Sequence, residues 1–80
     1  MSISNWIEIL KAAGIDSRRL SIADIYFTEG QILRDDVVSA RVRAVVTGRG
    51  GCASHGTYVE VIESMPEPER AALRERVTRV

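Results

Sequence analysis

Val37-Val38-Ser39-Ala40-Arg41-Val42-Arg43-Ala44-Val45-Val46-Thr47 runs straight into Gly48-Arg49-Gly50-Gly51-Cys52-Ala53-Ser54-His55-Gly56. Read with a period of two, Val38, Ala40, Val42, Ala44 and Val46 share one face. Ser39, Arg41, Arg43 and Thr47 share the other, and Val45 is the exception. Alternation rich in β-branched residues predicts a half-buried antiparallel strand over 37–47. The glycines that follow predict a hairpin tip, since glycine tolerates positive φ. Thr57 to Glu63 is then the partner strand.

That pairing has a definite register. Thr57, Val59 and Val61 form the buried face of the second strand, because Glu60 does not belong in a core. Val61 opposite Val42 and Val59 opposite Ala44 put Glu60 opposite Arg43 and Tyr58 opposite Val45. Arg41 is diagonal to Glu60. A slip of one residue would bury Glu60.

Outward from the hairpin, Asn5-Trp6-Ile7-Glu8 matches a capping box in its Asn form. Ile7, Ile9, Leu10 and Ala13 give one apolar face, so a helix is expected over about 5–13. Gly14 stands where a left-handed residue ends a helix, with Ile15 folding back as in a Schellman cap. Asp16 or Ser17 caps a second short helix over about 17–23, or the same residues are extended. Ile25 to Leu33 favours strand with a turn at Glu29-Gly30. Arg34-Asp35-Asp36 reads as a polar break. Ser64-Met65-Pro66-Glu67 resembles a second capping box and opens a final helix to about Thr78. Its apolar stripe is Ala72, Leu73 and Val77, with Glu75 and Arg79 as an i, i+4 pair. The expected fold is therefore α+β: an N-terminal helix, an antiparallel sheet of three or four strands centred on the long hairpin, and a C-terminal helix on one face.

Eighty residues, 45% hydrophobic and 5% aromatic, imply a single domain over 1–80 with a core of Val, Ile, Leu and Ala. A chain this short is marginal alone, and one cysteine forms no internal disulfide. A homo-oligomer, a dimer in the simplest case, is the economical extra stabilisation. The lone cysteine fits a reducing compartment, and neither a signal peptide nor a bilayer-length apolar run is evident, so a cytoplasmic protein is expected.

The net charge is zero, which argues against a dedicated binder of bare nucleic acid. The charge is nonetheless blocked: −2 over 1–36, +3 over 37–56, −4 over 57–69 and +3 over 70–80. Arg41, Arg43 and Arg49 make a basic stripe suited to phosphate or to an acidic protein surface. Across the hairpin Arg43 is neutralised by Glu60, whereas Arg49 at the tip has no acid near it in sequence. Arg49, then Arg41, His55 and Arg43, are the candidate partner-binding residues. Arg70, Arg74, Arg76 and Arg79 read as a solvated helix face.

Several chemistries are weaker fits. Gly48-Arg49-Gly50-Gly51 lacks the strand–loop–helix setting and Gly-Lys-Ser/Thr ending of a phosphate loop. Cys52 and His55, spaced C-x-x-H, supply half a tetrahedral zinc site or a nucleophile pair without an orienting group, so no cofactor or metal is expected. Leu10 to Ile25 also reads as a helix-turn-helix with the 37–63 hairpin as a wing. Against it stand Leu10 before the turn and the acids Asp16 and Asp24.

A charge-mixed, motif-free domain of this length resembles, in size and patchy charge alone, the small inhibitors of phages and mobile elements such as anti-CRISPR proteins. The resemblance carries no residue over. It implies a surface that blocks a larger nucleoprotein machine. The expected function is a non-enzymatic protein-interaction module, with a winged-helix regulator or a Cys52/His55 metal or catalytic protein as alternatives.

Overall fold

A computed structural model describes residues 3–77, and among these no residue lies in a strand. The elements are α1 (Ile3–Ala12), a 3-10 turn (Ser17–Arg19), α2 (Ile22–Arg34), α3 (Asp36–Arg49), α4 (His55–Ser64) and α5 (Glu67–Val77). The expected α+β fold with its antiparallel sheet is thus overturned; both strands of the central hairpin are helices.

The decisive stretch satisfies two periods, and the helical one wins. Val38 and Val42 are buried, Arg41, Val45 and Val46 half-buried, and Ala40 and Ala44 exposed. That is i, i+3, i+4, i+7, i+8, and it absorbs Val45, the residue the alternation left over. The six β-branched residues of α3 cost a helix roughly 0.5 kcal/mol each. Burying Val38 and Val42 alone returns about 1.5–3 kcal/mol apiece.

The ends of α3 are equally well defined. Asp35, read as part of a polar break, is the N-cap: its Oδ1 accepts from the Val37 and Val38 amides at 3.0 and 3.1 Å. At the other end Gly50 is left-handed, φ +65°, and a Schellman pair closes the helix: Gly50 N donates to Thr47 O and Gly51 N to Val46 O. The supposed hairpin tip is a helix stop.

In α4 the buried residues are Thr57, Val61, Ile62 and, just past the end, Met65, a spacing of four, one and three. Ile62, fully buried, shares a face with exposed Glu60 in any strand reading, so like Val45 it separates the two periods. Ser54 caps α4, with Thr57 completing a reciprocal box. In α2, Ile25, Thr28, Glu29 and Ile32 are buried. The expected strand and Glu29-Gly30 turn are replaced by helix, begun by Ser21, whose Oγ accepts from Asp24 N.

The N-terminal helix is present, but Asn5 lies inside it rather than capping it. Its Schellman end is as expected: Gly14 has φ +82°, Ile15 N donates to Leu10 O and Gly14 N to Lys11 O. The second short helix shrinks to the 3-10 turn capped by Asp16. The C-terminal helix starts at Glu67, and Ser64 ends α4 instead of capping α5. Leu73 and Val77 are its buried residues; Thr78 and Arg79 lie outside the described residues.

Helices α1 to α4 pack in a ring, each on the next and α4 on α1, and α5 packs on α2. Polar ties lock α5 in place: Arg76 to Asp35, Arg41 of α3 to Glu69, and Arg74 Nη1 to the Ala13 carbonyl at 2.9 Å. One core draws on all five helices, from Ile9 and Leu10 through Ile32, Val38 and Ile62 to Leu73. The shortest dimension is 17 Å. That is room for two helix layers, so every helix keeps an outward side.

Candidate interaction surface on the second helix

The cations singled out from the sequence are mostly spent inside the chain. Arg49 is ion-paired with Glu60, and Arg41 with Glu69 at 2.7 Å. The expected Arg43–Glu60 pair is not formed, because Glu60 lies on a helix whose register differs from the strand pairing. Arg43 is exposed and has no carboxylate partner among the described residues. The C-terminal arginines are engaged as well: Arg70 and Arg74 with Glu67, Arg76 with Asp35. Arg34 on α2 is the other arginine without an ion pair among the described residues.

His55 opens α4, and its Nε2 stands 4.0 Å from Glu29 Oε1. Glu29 is almost fully enclosed, and that burial raises its carboxyl pKa, with His55 and then Arg34 opposing. Cys52 is exposed in the α3–α4 loop. Among the described residues no three His, Cys, Asp or Glu side chains converge to hold a metal ion. The wing required by the helix-turn-helix reading is absent, and residues 13–21 separate α1 from α2, far more than a tight turn.

The surface that departs most from expectation is apolar. On α2 the inward arc is Ile25, Thr28, Glu29 and Ile32. The opposite arc carries Ile22, Ala23, Tyr26, Phe27, Gly30 and Arg34. Ile22 is 62% exposed, Phe27 49% and Tyr26 43%. An outward helix face of a small protein is ordinarily polar; here three large apolar residues stand exposed, with Arg34 at one end and half-buried Asp24 at the flank. The face is also stiffened. Trp6 of α1 meets Tyr26 edge-on with ring centroids 4.1 Å apart. Arg34 folds back along the same face, since a Cβ placed on Gly30 would lie 3.8 Å from its Nη1.

Sequence reading missed this surface by assigning residues 25–33 to a strand. The available signal was a surplus. Read as a helix, Ile22 to Arg34 has apolar residues on both of its sides, more than one core-facing stripe requires.

No helix among the described residues is long and apolar enough to cross a membrane. No protein family, curated protein or solved structure matches the chain.

Proposed function

We propose that this chain is a protein-interaction module that docks through the outward face of α2. The observation that carries the reading is the exposed Ile22, Tyr26 and Phe27 on one ordered helix face. Contiguous exposed apolar area with aromatic anchors is the usual composition of a contact surface. The basic stripe offers less, because Arg41 and Arg49 already have acids beside them.

The ends of the face carry cations. Arg18 and Arg19, which share Asp16 and leave one net positive charge, precede Ile22, and Arg34, without an ion pair among the described residues, closes the other end. A partner with an apolar strip flanked by acidic residues is complementary to that layout. A second copy is less so: antiparallel α2 helices centred between Tyr26 and Phe27 bring Arg34 of each copy toward Arg19 of the other. Inhibition of a larger nucleoprotein complex is one task such a module performs, and its target would carry the acidic-flanked strip.

Capture from the native host with matched variants tests the reading. Phe27→Glu is expected to lose the partner while Arg49→Glu keeps it. Retention by Phe27→Glu together with loss in Arg49→Glu would return the contact to the basic loop. Light scattering that shows a dimer abolished by Phe27→Glu makes a second copy the occupant. Steeply salt-dependent binding to free duplex DNA would overturn the module reading altogether.

A further inference from the structure

Arg43, one of the two arginines without an ion pair among the described residues, lines an apolar groove. Two shallow cavities of about 270 and 280 Å³ adjoin there, with Ala53 and Tyr58 forming walls of both. The first reaches Leu33 and His55; the second is floored by Val42 and Val46 and reaches Arg43. The walls are α3, α4, the loop between them and, at Leu33, the end of α2, so the groove exists only because these segments are helices. Ser54 is used up in capping, and the Ser39 hydroxyl donates to Leu33 O. Thr47, Tyr58 and His55 also line the cavities, but Arg43 is the one guanidinium there.

We propose that this groove binds a small carboxylate with an apolar body, such as a single ring or a short chain. Each cavity lies just under the roughly 300 Å³ at which drug-sized sites begin, which limits the occupant to that size. An unpaired guanidinium beside an apolar trough selects a molecule with one anionic end. The body lies along Val42, Val46 and the Tyr58 ring. The carboxylate sits at the Arg43 end, because the opposite end approaches buried Glu29 behind His55. None of Ile22, Tyr26 and Phe27 lines it.

Phenylacetate and its neutral analogue phenylacetamide are the probes, titrated into the full isotope-labelled chain and followed by backbone amide NMR shifts. Saturable shifts at Val46, Ala53 and Tyr58 are expected with phenylacetate, and binding about tenfold weaker for phenylacetamide and for Arg43→Gln. Arg49→Gln, a paired cation elsewhere, is expected to bind as the native chain does. Equal affinity for acid and amide would overturn the proposal. So would shifts centred on Ile22 to Phe27, or no saturation by about 10 mM probe. Phe27→Glu, which disables the α2 face, leaves phenylacetate binding intact if the two sites are separate.

Discussion

Asp35 and Glu29 are carboxylates six residues apart, each with a side chain 8% exposed, yet they respond to burial in opposite directions. Asp35 receives four hydrogen bonds: the Val37 and Val38 amides, and Nε and Nη2 of Arg76 at 2.6 and 3.3 Å. Burial pushes its pKa up, but Arg76 and the two amides outweigh burial and hold the carboxyl below its ordinary value. Glu29 receives no hydrogen bond among the described residues. It has only His55 at 4.0 Å and the more distant Arg34, and burial prevails. Equal burial does not mean equal cost; the donors that reach the oxygens decide. Asp35 organises the junction of α2, α3 and α5, whereas Glu29 is a charge the core tolerates.

The largest test removes Asp35. Asp35→Ala loses the α3 N-cap and leaves Arg76 unpaired, which should cost about 2–3 kcal/mol in urea unfolding. Asp35→Asn keeps a capping oxygen and should cost roughly 1 kcal/mol. If Asp35→Ala and Asp35→Asn destabilise equally, the cap is not what Asp35 contributes. Glu29→Gln is expected to move the other way. It removes a poorly solvated charge with little change of shape, and should stabilise at neutral pH by about 0.5–1 kcal/mol. A loss of stability there would show that the Glu29–His55 approach is a net attraction.

The two carboxylates also separate along the pH axis. Glu29 has a raised folded pKa. Its contribution is fully present below the ordinary value of 4.5 and is lost as pH rises through the folded value. Asp35 has a depressed folded pKa. Its contribution is present above the ordinary value of 3.8 and is lost as pH falls through the folded value. Stability measured from pH 7 downward should thus lose its rise toward pH 4.5 in Glu29→Gln, while Asp35→Asn should soften only the fall below 3.8. An unchanged upper limb in Glu29→Gln would mean that Glu29 is not the group that titrates there.

Only a few helix ends were legible: the Gly14 and Asp16 caps stand, whereas Asn5 and Ser64 are not caps, and Asp35 and Gly50 read as a polar break and a hairpin tip. Gly14 with Ile15 was readable as a Schellman cap, because glycine at that point has a single mechanical use. Leu73 and Val77 were readable as the buried side of the last helix. The middle failed because Val38, Val42 and Val46 satisfy a period of two and a period of four alike, and β-branched residues tipped the reading toward strand. Val45 and Ile62 were the discriminating residues, each an anomaly in the strand pattern and ordinary in the helix. The site suffered from the same error. Arg49 looked isolated because no acid is near it in sequence, but α4 returns Glu60 to its side. His55 and Arg43 do share one groove, a proximity only the helical hairpin produces.

The smallest effects test the assumption behind Asp35's role, that α3 is a helix which begins there and must stop at Gly50. Gly48 and Gly50 differ by two positions in the same glycine-rich run, and nothing lies within 4 Å of a Cβ added to either. Space is therefore no part of the difference; backbone conformation is all of it. Gly50 is left-handed at φ +65°, so Gly50→Ala should cost about 1 kcal/mol. Gly48 lies within α3 at an ordinary φ, so Gly48→Ala should stabilise by about 0.5–1 kcal/mol through helix propensity. Opposite signs in thermal or urea unfolding are expected of a helix end. A flexible hairpin tip would give small effects of one sign at both positions, and that result would remove the helix from which Asp35's capping role follows.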